Sequence, residues 1–306
     1  PIPIDEMQGN KLMTQNTVSI QLVDKEAKNV KKILTSEGWE EEKSNNEYIV
    51  LRMRSSQGSV ATLYTSNKIV FQGKESFESI LGQIKGLDSV VGFVPHIGVD
   101  EVGKGDYFGP LVVTSCFVNG EFYKKALGLG IGDSKKFSDK KIMEFYEQMK
   151  EYPYKYTSIV YPSEYNKLIQ ETGNVAVLLA KQHGLVIEKA LLDLKQKNIE
   201  CKKVVIDQFS SKKSRVLDEL GELGRSVEFE QYHKGESDIA VACASVFARA
   251  IFLLEMNRMS ELYDFEFPKG ASNVIEKARL FVNLRGQDEL GKVAKISFNT
   301  TKSVLK

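Results

Sequence analysis

Ile97–Val113 reads IGVDEVGKGDYFGPLVV, and the folding of the chain turns on this stretch. Ile97-Gly98-Val99 is a short apolar run of the kind a buried strand makes, and Asp100 and Glu101 follow it directly. Gly103-Lys104-Gly105 signals a turn, and Leu111–Val118 resumes as a second apolar run. A carboxylate at the end of a buried strand is costly unless something offsets its charge. In open α/β sheets such positions face the crevice where ligands bind. Neighbours on a regular strand point to opposite faces, so Asp100 and Glu101 are expected to share a site only if the strand ends or bends between them. The glycines at 103, 105 and 109 permit a bend.

Downstream, apolar strand runs at Lys155–Val160, Lys203–Ile206 and Ser226–Gln231 alternate with helical stretches at Asp139–Lys150, Asn174–Leu194 and Ser237–Glu255. This is the pattern of an α/β domain, expected over 91–306. Two further acids stand where apolar runs stop or start. Asp207 ends Val204-Val205-Ile206, and Asp238 opens Ile239-Ala240-Val241-Ala242. Each has an ordinary reading as well: Asp207 as the start of a turn, Asp238 as a first-turn acid complementing the helix dipole. Converging carboxylates repel one another and a hard divalent cation relieves that repulsion, so an all-oxygen set of Asp100, Glu101, Asp207 and Asp238 points to Mg2+ or Mn2+.

Upstream the texture differs. After a polar start, expected to be flexible over 1–16, Thr17–Val23 alternates as a strand and Lys25–Ser36 reads as an amphipathic helix stopped by Gly38. Strand runs at Tyr48–Arg54, Ser59–Thr65 and Lys68–Gln72 and a helix at Ser76–Ile84 complete a small α+β layer over 17–87. Alternation sends Ile49, Leu51, Met53, Ala61, Leu63, Ile69 and Phe71 to the helices. It leaves Arg52, Arg54, Thr62, Tyr64, Lys68 and Gln72 on the other face. A face of cations, amides and an aromatic suits a nucleic-acid backbone, and equally an ordinary solvated sheet.

Composition narrows the classes. Of 306 residues, 42% are hydrophobic and 27% charged, which excludes disorder and fibrous repeats. A net charge of +1 means that phosphate binding would rest on local patches such as Lys135/Lys136 with Lys140/Lys141, Lys202/Lys203 and Lys212/Lys213/Arg215. Cys116, Cys201 and Cys243 form neither a disulfide framework nor a zinc spacing with His96, His183 and His233. A cytoplasmic location is expected, with no membrane span, no N-terminal signal pattern and no obligate protein partner.

Ile97–Val113 resembles the first motif of the ribonuclease HII/HIII family. Asp133–Lys136 (DSKK), Val204–Phe209 (VVIDQF) and Gly235–Arg249 (GESDIAVACASVFAR) resemble its later blocks, in the family's order. Lys104 between two glycines, Pro268–Ser272 and the C-terminal VAKISFNTTK favour the HIII branch, as does a small N-terminal domain resembling half of a TATA-binding protein. The resemblance implies a ribonuclease H-like catalytic domain that cuts the RNA strand of RNA/DNA hybrids. Two divalent ions would be held by Asp100, Glu101, Asp207 and Asp238, and the products would be 5′-phosphomonoesters. Gly103 and Gly105 would approach the sugar that carries the 2′-hydroxyl, and Lys104, Lys135 and Lys136 would meet phosphates with Ser134 near the cleft. On the N-terminal sheet, Arg52, Tyr64, Lys68 and Gln72 would touch substrate. Ala176 departs from the asparagine common in the family, and Asn67 takes the place of a turn glycine. His183 is expected to be structural. Two other readings stay open: incision at single embedded ribonucleotides, as in the HII branch, and a non-catalytic hybrid-binding protein.

Overall fold

The computed structural model describes residues 16–85, 93–131, 137–207, 214–232, 238–271 and 274–306. The segment expected to be flexible lies, but for Asn16, outside the described residues, as does the expected domain boundary near 90. The chain forms two compact units, Pro1–Val91 with Leu127–Gly130, and Gly92–Ala126 with Ile131–Lys306.

The first unit runs β1 (Asn16–Gln21), α1 (Asp24–Ser36), β2 (Glu40–Glu41), β3 (Ile49–Arg54), β4 (Val60–Tyr64), β5 (Lys68–Gly73) and α2 (Glu78–Ile84). Its strands form one antiparallel sheet in the order β1-β5-β4-β3-β2. The alternation expected of it is observed: Leu51, Met53, Ala61, Leu63, Ile69 and Phe71 are buried with Val30, Leu34 and Leu81 of the helices. Trp39 closes this core edge-on against Phe71, with ring centroids 5.9 Å apart. Ile49 departs from expectation. A bulge between Ile49 and Leu51 sets Ile49 beside Tyr64, on the face away from the helices, and leaves Val50 exposed. Asn67 takes the left-handed turn at φ 60° and its amide bonds Asp24, 2.6 Å away.

The second unit contains β6 (His96–Val102), β7 (Leu111–Val118), α3 (Gly120–Gly128) but for its last two residues, α4 (Asp139–Met149), β8 (Lys155–Val160), α5 (Pro162–Thr172), α6 (Val175–Gln196), β9 (Lys203–Asp207), α7 (Ser214–Glu219), α8 (Glu222–Arg225) and β10 (Glu228–Tyr232). It ends with α9 (Ile239–Tyr263), α10 (Ile275–Arg285), α11 (Gln287–Val293) and α12 (Thr300–Val304). The sheet order is β10-β9-β6-β7-β8. β6, β7 and β8 are antiparallel neighbours, while β9 runs parallel to β6 and β10 parallel to β9.

Strand parity then assigns the faces. Ile97, Val99, Val204 and Ile206 pack with Leu179, Val186, Ile187 and Leu191 of α6. The opposite face meets α9 so closely that a Cβ on Gly98 would lie 2.0 Å from the Ala240 carbonyl carbon, so only glycine fits there. α9 is long and apolar enough to cross a membrane by composition, which corrects the expectation that no stretch qualifies. It is mostly buried as the core helix of this unit, with Ala240–Ala248 packed against the sheet.

Candidate active site

The register of β6 with β9 brings two of the expected acids together. Val99 pairs with Ile206, so Asp100 and Asp207 are the next residues on adjacent parallel strands. By parity both share the α9 face, whereas Glu101 points toward α6. The strand does not end between Asp100 and Glu101, one of the two conditions under which they were expected to share a site. β6 continues to Val102 against β7, and only its pairing with β9 stops at Val99.

Each carboxylate of the adjacent pair is held from its own face. Asp100 is 9% exposed and accepts the Glu101 backbone N–H through Oδ1 at 2.8 Å, with a second hydrogen bond to Ser245 of α9. Burial, then the charge of Glu101 and more weakly that of Asp207, push its carboxyl up to about 7 against these bonds. Glu101 accepts from His183 Nε2 at 3.0 Å through Oε2 and from Lys104 Nζ at 2.8 Å through Oε1. Burial alone would raise Glu101; the hydrogen bonds of His183 and Lys104 outweigh it and hold this carboxyl well below the usual range.

Asp238 does not join them, which corrects the expected set of four. It is the N-cap of α9, its Oδ1 accepting the Ala240 and Val241 N–H groups at 2.9 and 3.1 Å. Its carboxylate also faces His96 Nε2 at 2.8 and 3.0 Å, while His96 Nδ1 faces the Val94 carbonyl at 2.7 Å. Burial works to raise Asp238, and His96 with the first amides of α9 holds it low instead. The cause of the displacement is geometric. Ala240–Val241 lies over Gly98 and Ser245 reaches Asp100, so α9 runs alongside β6 with its N-terminus at the His96 end. His96 precedes Asp100 by four strand residues, roughly 13 Å.

The turn after β6 is fixed by packing at one glycine and open at the other. Gly103 has φ +96° and a Cβ there would stand 2.1 Å from the Pro110 carbonyl oxygen, while a Cβ on Gly105 would meet no protein atom. Lys104, about half exposed, lies between them. The far side of the loop is anchored by Lys295, a residue sequence reasoning missed. It is fully buried and donates from Nζ to the carbonyls of Asp106 (2.9 Å) and Gly109 (2.6 Å), and from its backbone to Tyr107. Burial pulls its amine down to about 7. Gly270, in the PKGAS stretch, bonds Asp106 and Tyr107 from the same side.

Among the other expected contacts, Ser134, Lys135 and Lys136 lie outside the described residues. Lys68 and Gln72 are exposed on the open face of the first unit's sheet, and Tyr64 and Arg52 are half-buried there. Arg52 and Arg54 both bond Glu42, which follows β2, an element the sequence did not announce. The open face is therefore less basic than its arginines suggest.

The donor set suits a divalent cation better than any other group. Asp100 and Asp207 are hard oxygen donors on one face, and the repulsion that lifts Asp100 is what such an ion would offset. Among the described residues no three acidic, histidine or cysteine side chains are already gathered as ligands, and Glu101 is bonded by His183 and Lys104.

Comparison with known proteins agrees with this geometry. The family model described as Ribonuclease HII matches residues 97–301. A Ribonuclease HIII of Protochlamydia amoebophila is 34% identical over 262 residues, covering 82% of this chain and 85% of that protein. One of Streptococcus pneumoniae (strain P1031) is 32% identical over 265 residues, covering 84% and 89%. Among solved structures, Bst-RNase HIII in complex with Mn2+ superposes with a TM-score of 0.66 at 26% identity, covering 95% of this chain and 98% of that one. Aquifex aeolicus RNase H3 gives 0.54 at 27% identity over 92% and 100%. The second unit thus has the ribonuclease H-like fold.

Proposed function

The chain belongs to the ribonuclease HII family, and from that premise we propose that it is an endoribonuclease of the HIII kind, cutting the RNA strand of RNA/DNA hybrids to leave 5′-phosphomonoesters. The observation that carries this reading is the adjacency of Asp100 and Asp207 at the end of the parallel strand pair, with Glu101 beside them. These carboxylates would hold Mg2+ or Mn2+, which when bound supplies an activated water and offsets charge at the scissile phosphate. Two carboxylates and the substrate's own phosphate oxygens are a sufficient set for Mg2+. Lys104 now neutralises Glu101, and its half-exposed amine is free to turn to a phosphate. The space beside Gly105 lets a sugar approach the backbone, where an amide or carbonyl distinguishes a 2′-hydroxyl from hydrogen. Lys295 keeps that loop in place.

For the first unit we propose hybrid binding on the open sheet face, through Tyr64, Lys68, Gln72 and Arg52. Its order of strand, helix, four strands and helix is that expected of half a TATA-binding protein. The family and the absence of any disulfide-ready cysteine pair among the described residues support a cytoplasmic location.

The deciding experiment is cleavage of a 5′-labelled RNA/DNA hybrid with Mg2+, Mn2+ or EDTA, beside a duplex carrying one ribonucleotide. Metal-dependent cutting along the RNA, with little incision at the lone ribonucleotide, is the expected result. Strong incision at the lone ribonucleotide would move the activity to the HII kind, and binding without cleavage under any metal would refute the catalytic reading.

A further inference from the structure

His183 is the buried polar group that the mechanism above leaves without a task. It lies in α6, has no exposed surface, and sits in a helix whose other buried residues are almost all aliphatic, Leu178, Leu179, Val186 and Ile187 among them. An imidazole is a poor choice for such a position unless its ring nitrogens are used. Its Nε2 is 3.0 Å from Glu101 Oε2. A carboxylate oxygen accepts, so the ring offers Nε2–H toward it and is oriented in that sense.

Strand geometry says why such a donor is needed. Asp100 and Glu101 leave β6 on opposite faces, so a site that uses both must restrain each from a different layer of the fold. On the α9 side Ser245 holds Asp100. On the α6 side a side chain must reach the end of β6 through the apolar layer to hold Glu101, and His183 does so. The other oxygen of Glu101 is bonded by Lys104, which is surface-exposed and mobile in principle, whereas His183 cannot move without disturbing the core.

We infer that His183 is a positioning residue, fixing Oε2 of Glu101 so that Oε1, bonded here by Lys104, is the oxygen that turns to the divalent cation. The inference rests on the proposed role of Glu101 as a metal-holding carboxylate. Losing a partner that orients a metal ligand typically weakens metal binding by about tenfold or more.

The test measures Mn2+ binding to the full chain without substrate, from the electron paramagnetic resonance signal of free Mn2+, together with kcat and KM on the hybrid. His183→Phe keeps an apolar-compatible ring and removes the donor. It should weaken Mn2+ binding about tenfold, lower kcat at limiting Mn2+ with recovery at high Mn2+, and leave KM for the hybrid unchanged. His183→Gln, whose amide reaches the Nε2 position, should restore most of the affinity. Should the phenylalanine variant not fold, the comparison passes to His183→Asn, whose amide falls short of Glu101, against His183→Gln. Wild-type Mn2+ affinity in His183→Phe, or equal affinities in the asparagine and glutamine variants, would overturn the inference while leaving the proposed activity standing. A wild-type chain that binds no Mn2+ would overturn both.

Discussion

Replacing Asp100 with asparagine should make the protein more stable in chelator while abolishing its activity. The carboxyl rises from 3.8 to about 7 on folding, mainly through burial and the charge of Glu101. That is about three pH units, which at ~1.36 kcal/mol each corresponds to an upper limit of about 4 kcal/mol held against the ionised folded state. Asparagine keeps an oxygen for the Glu101 N–H and an amide for Ser245, so most of the local bonding survives the exchange. A gain of about 2 kcal/mol or more is therefore expected near neutral pH, equivalent to roughly 4–8 °C in Tm for a unit of this size. The pH dependence has a definite sign. Between the unfolded value of 3.8 and the folded value of about 7, the folded chain keeps a proton that the unfolded chain has released. Stability from this group is thus present at low pH, falls as pH rises through that window, and is gone above it. Thermal unfolding from pH 4.5 to 8 in EDTA checks this. Wild type should lose Tm toward pH 7 relative to Asp100→Asn, and the two curves should cross or converge at the acid end. Added Mn2+ should raise the wild-type Tm and do little for the variant, which should show no cleavage. An Asp100→Asn protein less stable than wild type at pH 7.5 in chelator would refute the reasoning, since it would mean that the carboxylate is held by its bonds and not opposed by its neighbours.

Asp238→Asn should keep metal-dependent cleavage within a few-fold of wild type and retain the cap, since asparagine keeps the accepting Oδ1, whereas Asp238→Ala should lose about 1 kcal/mol of stability. A loss of turnover as complete as that expected for Asp100→Asn would restore Asp238 to the cleft. Lys295→Met should raise KM for the hybrid by unseating the 106–109 carbonyls, with Lys295→Arg intermediate; unchanged KM in both would dissociate this lysine from the loop. Because the Lys295 amine falls from 10.5 to about 7 on folding, its contribution is complete above pH 10.5 and lost as pH falls through about 7, so the wild-type urea midpoint should gain between pH 7 and 9.5 relative to Lys295→Met. Gly98→Ala should cost about 3 kcal/mol, read as a lowered urea midpoint, since its Cβ would strike the α9 backbone. The pair Tyr64→Ala with Lys68→Ala should raise KM and flatten the salt dependence of hybrid binding while kcat holds; a change in kcat alone would count against the open sheet face as the binding surface.

What the sequence disclosed and what it withheld follow one physical line. Period-two alternation in Ile97–Glu101 carries the face of every side chain, so the opposed directions of Asp100 and Glu101 were legible once the run was read as a strand, whereas the register that sets Asp100 beside Asp207 was not. Alternation says nothing of where a strand stops. β6 runs on to Val102 because β7 continues to pair with it, and that depends on residues ten or more positions away. The helix-start reading of Asp238 was equally legible and is observed, but a cap locates a helix start along the chain, not along the sheet. What fixes α9 against β6 is Gly98, a residue whose meaning appears only when Ala240 is packed on it. His183 and Ser245 were invisible as partners of the acids because each is 80 or more residues from the carboxylate it holds. Hence the candidate acids stand out locally in the sequence, while their geometry is a long-range property of two helices packed on one strand. Adjacent carboxylates on opposite faces must each be held from its own layer, Asp100 by Ser245 of α9 and Glu101 by His183 of α6, and only a central strand such as β6, covered on both sides, offers both layers.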